Sequence, residues 1–304
     1  MHSLIIGGNG FIGSHLVEEL RKDGEIRVLS SGTARTDIDW TGVEYRQGSY
    51  AAAQTLLDCL DGIDVVYHLA STTVPATSNL DPLGDIAGNL TATIGLLEGM
   101  RARNVRRIVY LSSGGTVYGS PKHVPMDESH PTDPISSYGI VKLAIEKYLL
   151  MYSTLYGLSP LIIRPSNPYG PRQDGAGIQG VVAAFLKQLT RREPIRVMGD
   201  GSVIRDYIYI SDLVRLCAIA GPGEVEGVFN AGSGLGSSIN DIVRLVTETA
   251  GYSVPIHHVD ARGFDVKKVV LAIDRAKSAF DWAPRVDLRD GVRRTWEWWA
   301  TKVE

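Results

Sequence analysis

Through residues 1–165 the chain alternates short apolar runs with amphipathic helical stretches, and few folds accommodate that rhythm. Ser3–Ile6, Ile26–Leu29, Val65–Leu69, Arg107–Ser112 and Pro160–Arg164 read as strands. Between them, Phe11–Lys22, Tyr50–Leu60, Thr91–Arg103 and Tyr138–Tyr156 read as helices; the first places Ile12, Leu16, Val17 and Leu20 on one face. Strands that lack polar alternation are buried on both faces, so helices must cover both sides of a parallel sheet. The expected class is α/β, with a doubly wound parallel sheet.

After Arg164 the rhythm breaks. Residues 166–180 are rich in Gly, Pro and polar side chains and read as a long loop of the kind that carries function. Helix Val181–Arg191 and strand Ile195–Met198 follow, and strand Asp206–Ile210 with helix Asp212–Ala220 is expected to return to the sheet. Helix Ile239–Ala250, strand Ile256–Val259 and helix Leu288–Thr301 make a smaller C-terminal α/β lobe. The net charge of −3 argues against a general nucleic-acid binder, which needs clustered Lys and Arg. Cys59 and Cys217 fit no metal-ligand spacing, so no metal is expected, and they read as small apolar residues of a reducing compartment. No apolar run reaches membrane length, and the expected location is the cytoplasm.

Directly after the first strand comes Gly7-Gly8-Asn9-Gly10-Phe11-Ile12-Gly13, where helix signals begin. Gly7 suits a tight turn, Gly10 a close approach of main chain to a pyrophosphate, and Gly13 close packing of helix on strand. The N–H groups of the helix start, at Phe11, Ile12 and Gly13, then face the phosphates with a partial positive charge. A plain βα turn with three glycines is the bland alternative. Placed between strand and helix, the loop points to a Rossmann-type dinucleotide site. The division expected is a dinucleotide-binding domain of residues 1–165 plus about 206–232, and a ligand lobe of 166–205 plus 233–304.

Such a site ordinarily carries an acid at the end of the second strand to bond the adenine ribose. Here Ser30 and Ser31 stand there. Serine bonds a ribose hydroxyl without repelling a 2′-phosphate, and Arg35 is placed to attract one. NAD is the first expectation and NADP the second.

Tyr138 and Lys142 lie one helical turn apart on one face. A free phenol ionises near pKa ~10, so acid/base work near neutrality costs about 4 kcal/mol. An ammonium about 5 Å away offsets roughly 3 kcal/mol of that, and a cationic nicotinamide could supply the rest. An exposed Lys on an amphipathic helix is the alternative for this pair taken alone.

The pair is not alone. Between it and the glycine loop stands Ser112-Ser113-Gly114-Gly115-Thr116-Val117-Tyr118-Gly119, and together these segments resemble the extended short-chain dehydrogenase/reductase family. Nearly the whole chain resembles its NAD-dependent nucleotide-sugar epimerase/dehydratase branch. The resemblance implies that Leu69 and Ala70, after His68, lie beside the cofactor, and that Asn89 contacts its nicotinamide half. It implies that Asn167, in Arg164-Pro165-Ser166-Asn167-Pro168-Tyr169-Gly170-Pro171, contacts substrate. It further implies that Arg205 and Arg262 grip a nucleotide diphosphate, with Asp265 on the nucleoside ribose; paired guanidinium groups suit a diphosphate. Surface ion pairs Arg205–Asp206 and Arg262–Asp265 are the alternative. His68 reads as structural, Asp212 as a helix cap or first-turn acid, and Trp296, Trp298 and Trp299 as packing.

Two departures matter. The family places Ser or Thr four residues before the tyrosine of its Val-Tyr-Gly segment to bond the sugar 4-hydroxyl, and here Gly114 stands there. Ser113 and Thr116 are the nearest hydroxyls to replace it. The acids that dehydratases and decarboxylases of the family carry in this segment are Gly115 and Thr116 here, which disfavours both reactions. The resemblance thus implies a 4-epimerase for a nucleotide-diphospho-sugar, UDP-linked for preference. Tyr138 and Lys142 are its acid/base pair, and it works as a homodimer built through Thr91–Arg103 and Tyr138–Tyr156. The rivals are an NADP-dependent 4-ketoreductase, a 4,6-dehydratase, and a non-catalytic dinucleotide sensor. The sensor has no use for Tyr138 with Lys142. Surface-polysaccharide synthesis is the pathway class implied.

Overall fold

The computed structural model describes residues 1–173, 180–260 and 266–302. The first half runs β1 (His2–Ile6), α1 (Phe11–Leu20), β2 (Glu25–Ser30), β3 (Val43–Gln47), α2 (Ala53–Leu60) and β4 (Val65–His68). A short α3 (Pro82–Asp85) leads through a π-helical stretch, Ile86–Thr91, into α4 (Ala92–Ala102). Then come β5 (Arg107–Leu111), α5 (Ser137–Tyr156) and β6 (Ser159–Pro165). The second half adds β7 (Asn167–Tyr169), α6 (Val181–Thr190), β8 (Ile195–Met198), β9 (Ile204–Tyr209), α7 (Ile210–Ala220) and β10 (Gly227–Ala231). It ends with β11 (Gly236–Ser238), α8 (Ile239–Ala250), β12 (Ile256–Val259), β13 (Lys268–Val269), α9 (Asp274–Phe280) and α10 (Leu288–Ala300).

Seven strands form the central sheet in the order β10-β6-β5-β4-β1-β2-β3, and the pairings from β6 to β3 are parallel. This is the doubly wound order of a dinucleotide-binding sheet, with the crossover at β1. At its centre Ile5 faces Val28 on one side and Tyr67 on the other. One sheet face buries Leu4, Ile6, Val66, Ile108 and Ile162 against Leu96, Leu97 and Met100 of α4 and Ile145 and Leu149 of α5. Each such side chain contributes roughly 1.5–3 kcal/mol on leaving water.

Two compact units emerge. The first comprises Met1–Val117, Thr132–Arg164 and Val214–Phe229; the second comprises Tyr118–Pro131, Pro165–Leu213 and Asn230–Glu304, as far as these are described. In the second, β9 pairs with β7, β11 and β13, and β8 with β12. Among the described residues no helix is long and apolar enough to cross a membrane.

Three differences from the sequence reading have physical causes. Strand Ile204–Tyr209 belongs to the smaller sheet, and the strand that returns to the central sheet is β10. Strand β3 reads poorly in sequence because it is a half-exposed edge, Val-Glu-Tyr-Arg-Gln, with no clean period. Residues 167–169 of the Gly/Pro-rich segment are a strand, because Asn167–Tyr169 pairs in parallel with Tyr207–Tyr209.

Candidate active site

The glycine loop is built as tightly as its spacing suggests. Gly7 adopts φ +86°, its N–H bonding Leu29 O at 2.8 Å. A Cβ there would lie 2.9 Å from Ala70 N, so the ends of β1, β2 and β4 converge on this residue. A Cβ on Gly13 would stand 2.2 Å from Gly7 O, whereas one on Gly10 would meet only Gly7 O, at 3.3 Å. Helix α1 starts without a side-chain cap and without an acid in its first turn. Its end therefore presents N–H groups and positive potential to an anion, and a dinucleotide's diphosphate fits there. Leu69 donates its N–H to Ile6 O, and Ala70 beside Gly7 is half-buried.

At the end of β2, Ser30 O accepts from Gly48 N at 2.8 Å, while Ser31 is exposed. Asn9 of the glycine loop bonds Thr33 O and Arg35 N, each at 2.9 Å, and so pins the loop that follows β2. The Arg35 guanidinium is held in a fork by Asp37, at 2.8 and 2.9 Å. The adjacent carboxylate offsets the charge that would recommend Arg35 for a 2′-phosphate.

Tyr138 and Lys142 occupy the first turns of α5, which Ser136 caps through Gly139 N. Lys142 is buried, donates to Leu111 O at 2.8 Å, and lies 5.6 Å from the Tyr138 ring centre and 4.8 Å from that of Tyr110. Burial lowers its pKa to about 8, against the opposing pull of Glu146 and Asp85. Tyr138 moves opposite to the sequence expectation. Burial pushes its phenol well up, and the Asp85 carboxylate pushes it further. Helical spacing reveals the ammonium but neither the burial nor the carboxylate, which comes from another element.

Asp85 and Glu146 are the residues that sequence reading missed. Asp85 is fully buried and accepts from Ser137 Oγ at 2.6 Å, Thr73 Oγ1 at 2.7 Å and Asn89 Nδ2 at 2.9 Å. The signal available was its i, i+4 spacing from Asn89. Asn89, in the π-helical stretch, turns its amide onto Thr72 and Asp85. Glu146, one turn beyond Lys142, takes Arg164 Nε at 3.0 Å and Nη2 at 2.5 Å, and also bonds Ser112 Oγ. That buried pair fastens α5 to the ends of β5 and β6. His68 is structural here: buried, bonded to Thr93 Oγ1 at 2.9 Å, and held neutral by a pKa that burial lowers to about 3.

The loop after β5 carries both hydroxyls proposed to stand in for the missing one at Gly114. Thr116 Oγ1 is buried with no hydrogen-bond partner among the described residues, and its carbonyl would lie 2.8 Å from a Cβ on Gly139, next to Tyr138. Ser113 is half-buried, its carbonyl accepting from Val117 N.

In the second unit, Asn167 Nδ2 bonds Asp206 O at 2.8 Å, and Arg205 Nη1 bonds the carbonyls of Ile204 and Val266 at 2.9 and 2.7 Å. Asp206 is buried and receives Ser233, Gly234 and Leu271 N–H groups, so a surface pair with Arg205 is not what it forms. Asp212 lies in the first turn of α7 and ties down Arg285 N and Val286 N, at 2.9 Å each. Arg262 and Asp265 lie outside the described residues.

A dinucleotide loop, a Tyr/Lys pair one turn apart and a parallel doubly wound sheet define a dinucleotide-dependent enzyme of the short-chain dehydrogenase type. Residues 3–232 match the model of the NAD dependent epimerase/dehydratase family, and the chain belongs to that family; it is an NAD-dependent enzyme. It is 35% identical to a UDP-glucose 4-epimerase of Mycolicibacterium smegmatis over 100% of both chains. A Thermotoga maritima UDP-glucose 4-epimerase structure with UDP-glucose superposes with a TM-score of 0.95, at 34% identity and 100% coverage of both chains. A Thermus thermophilus UDP-glucose 4-epimerase complex with NAD gives 0.93, at 32% identity and 99% coverage of both.

Proposed function

We propose that this chain is a nucleotide-sugar 4-epimerase acting on UDP-linked hexoses. The observation that carries the reading is the Tyr138 phenol one turn from the buried Lys142 ammonium, in the unit that holds the glycine loop. NAD, when bound, supplies reversible oxidation at the sugar C4 and a positive charge near the phenol. Tyr138 takes the proton of the C4 hydroxyl and later returns it to the same oxygen, and inversion would follow from the 4-keto sugar turning its other face to the redox ring in between. Lys142, fixed on Leu111 O, sets the charge beside that phenol. Gly7, Gly10, Phe11, Ile12 and Gly13 hold the diphosphate of the dinucleotide, Ser30 and Ser31 its adenine ribose, and Leu69, Ala70 and Asn89 the remainder. The first unit thus takes the cofactor and the second the sugar nucleotide, through Asn167, Arg205, Arg262 and Asp265.

Of the two hydroxyls in the loop after β5, Thr116 is the one to replace the side chain missing at Gly114. A buried hydroxyl without a partner costs about 1–3 kcal/mol, and a ligand hydroxyl relieves that cost. We assign the dimer to α4 and α5, the second of which exposes Leu150, Met151, Leu155 and Tyr156. The work is that of a cytoplasmic enzyme supplying sugars for polysaccharide synthesis.

The test is a panel of UDP-, GDP- and dTDP-hexoses, with C4 stereochemistry read by NMR and the cofactor by absorbance. Inversion at C4 without net change in NAD is expected. Stoichiometric consumption of NADPH on a 4-keto sugar would replace the reading with a ketoreductase. Exchange of solvent hydrogen at C5 would replace it with a dehydratase.

A further inference from the structure

We infer that Asp85 is a positioning residue of the acid/base site, joining the start of the Tyr138 helix to the Asn89 segment through one buried carboxylate. The inference rests on Tyr138 being the acid/base group. Three separate pieces of chain meet at Asp85: Thr73 from the loop after β4, Asn89 from the π-helical stretch, and Ser137 from the first turn of α5. Two neighbouring bonds tie the same pieces, since Ser137 N donates to Asn79 Oδ1 at 2.8 Å and Tyr138 N to Ser78 Oγ at 3.1 Å. Stretches of π-helix inside α-helices recur at functional sites, and here the widened turn carries Asn89.

A fully buried carboxylate is costly to desolvate, and the donors to its side chain among the described residues are neutral hydroxyl and amide groups. A carboxamide or a hydroxyl would close a purely structural node at less cost. What a carboxylate adds is charge, and the groups near it are the reactive ones. Around Tyr138 stand Asp85 from α3, Tyr110 from β5 and Lys142 from α5 itself. Around Lys142 stand Glu146, Asp85, Tyr110 and, from β4, the neutral His68. Asp85 therefore does two things. It keeps Lys142 protonated against burial, and it holds the phenol protonated until positive charge arrives beside it.

Asp85→Asn keeps the size and the capacity to hydrogen-bond and removes the charge. On the holoenzyme, both limbs of the kcat–pH profile should move toward acid by about one pH unit, because phenol and ammonium each lose a neighbour that favours their protonated forms. The kcat at the new optimum should fall about tenfold or more, with KM for the UDP-sugar within about twofold. Ser137→Ala, which leaves the charge, should lower kcat and leave both limbs in place. Calorimetric titration of NAD into each variant gives a readout independent of turnover: Asp85→Asn, which keeps an acceptor for Asn89, should bind NAD within about twofold of wild type, and Asp85→Ala, which removes it, severalfold more weakly. Unmoved limbs in Asp85→Asn, or limbs moved equally by Ser137→Ala, would overturn the inference. If the wild type turns over no sugar nucleotide, the proposed function has failed instead, and unaltered NAD affinity in Asp85→Ala would then sink this inference separately.

Discussion

The phenol we propose to gain and lose a proton, that of Tyr138, is here surrounded by groups that hold the proton on. Burial and Asp85 both raise Tyr138, while Lys142 sits at a pKa of about 8, near the edge of its own charged range. Tyr138→Phe removes the hydroxyl and keeps the ring. Turnover should fall about 10²–10⁴-fold with UDP-sugar affinity nearly unchanged, as steady-state kinetics and calorimetry would show. For the loop after β5, the orphaned Thr116 hydroxyl leads to an ordered expectation: Thr116→Val should cost more kcat than Ser113→Ala. Kinetics with the reverse ranking would move the sugar contact to Ser113. The Tyr138/Lys142 pair is legible in the sequence because its spacing is local. Asp85 is not, because two of its partners, Thr73 and Ser137, lie 12 and 52 residues away, and only folding joins them.

Elements meet the site through glycines whose missing side chains are filled by neighbouring backbone. Gly13 is the sharpest case, since a Cβ would press on Gly7 O at 2.2 Å and on Gly8 Cα at 2.6 Å, neither a flexible side-chain end. Gly13→Ala should destabilise the protein by about 1–3 kcal/mol in chemical denaturation and strip NAD from the purified enzyme. The glycine loop, β1 and α1 are readable because each residue there obeys a local rule. By contrast β3 and β7 are held by pairing across the sheets, against a sequence of charged or Gly/Pro-rich character, so neither period announces them.

For the whole molecule, a neutral buried imidazole makes stability depend on acid. His68 has a folded pKa near 3 against about 6.5 when unfolded, so below pH 6.5 the unfolded chain binds the extra proton. The associated stability is present above pH 6.5 and is lost as the pH falls toward 3. From pH 7 to pH 5 that amounts to about 2 kcal/mol. Denaturant midpoints at the two pH values should show it, and His68→Gln should lose this part of the difference. The α/β alternation made the central sheet legible at this scale. The assignment of strand 204–209 to the smaller sheet was not, because β9 and β10 have similar lengths and only pairing partners separate them.

The first unit is stitched from three stretches of chain, the last ending at Phe229. Arg107, at the start of β5, completes its hydrogen bonds on the carbonyls of Ala220, Gly221 and Val225. During synthesis the nascent sheet must therefore wait, with its outer β6 edge bare, until about 230 residues have left the ribosome. In growing chains stalled before that length the first unit should be protease-sensitive, and in ones stalled just after it the first unit should resist cleavage while residues 165–213, whose partners follow residue 230, remain sensitive.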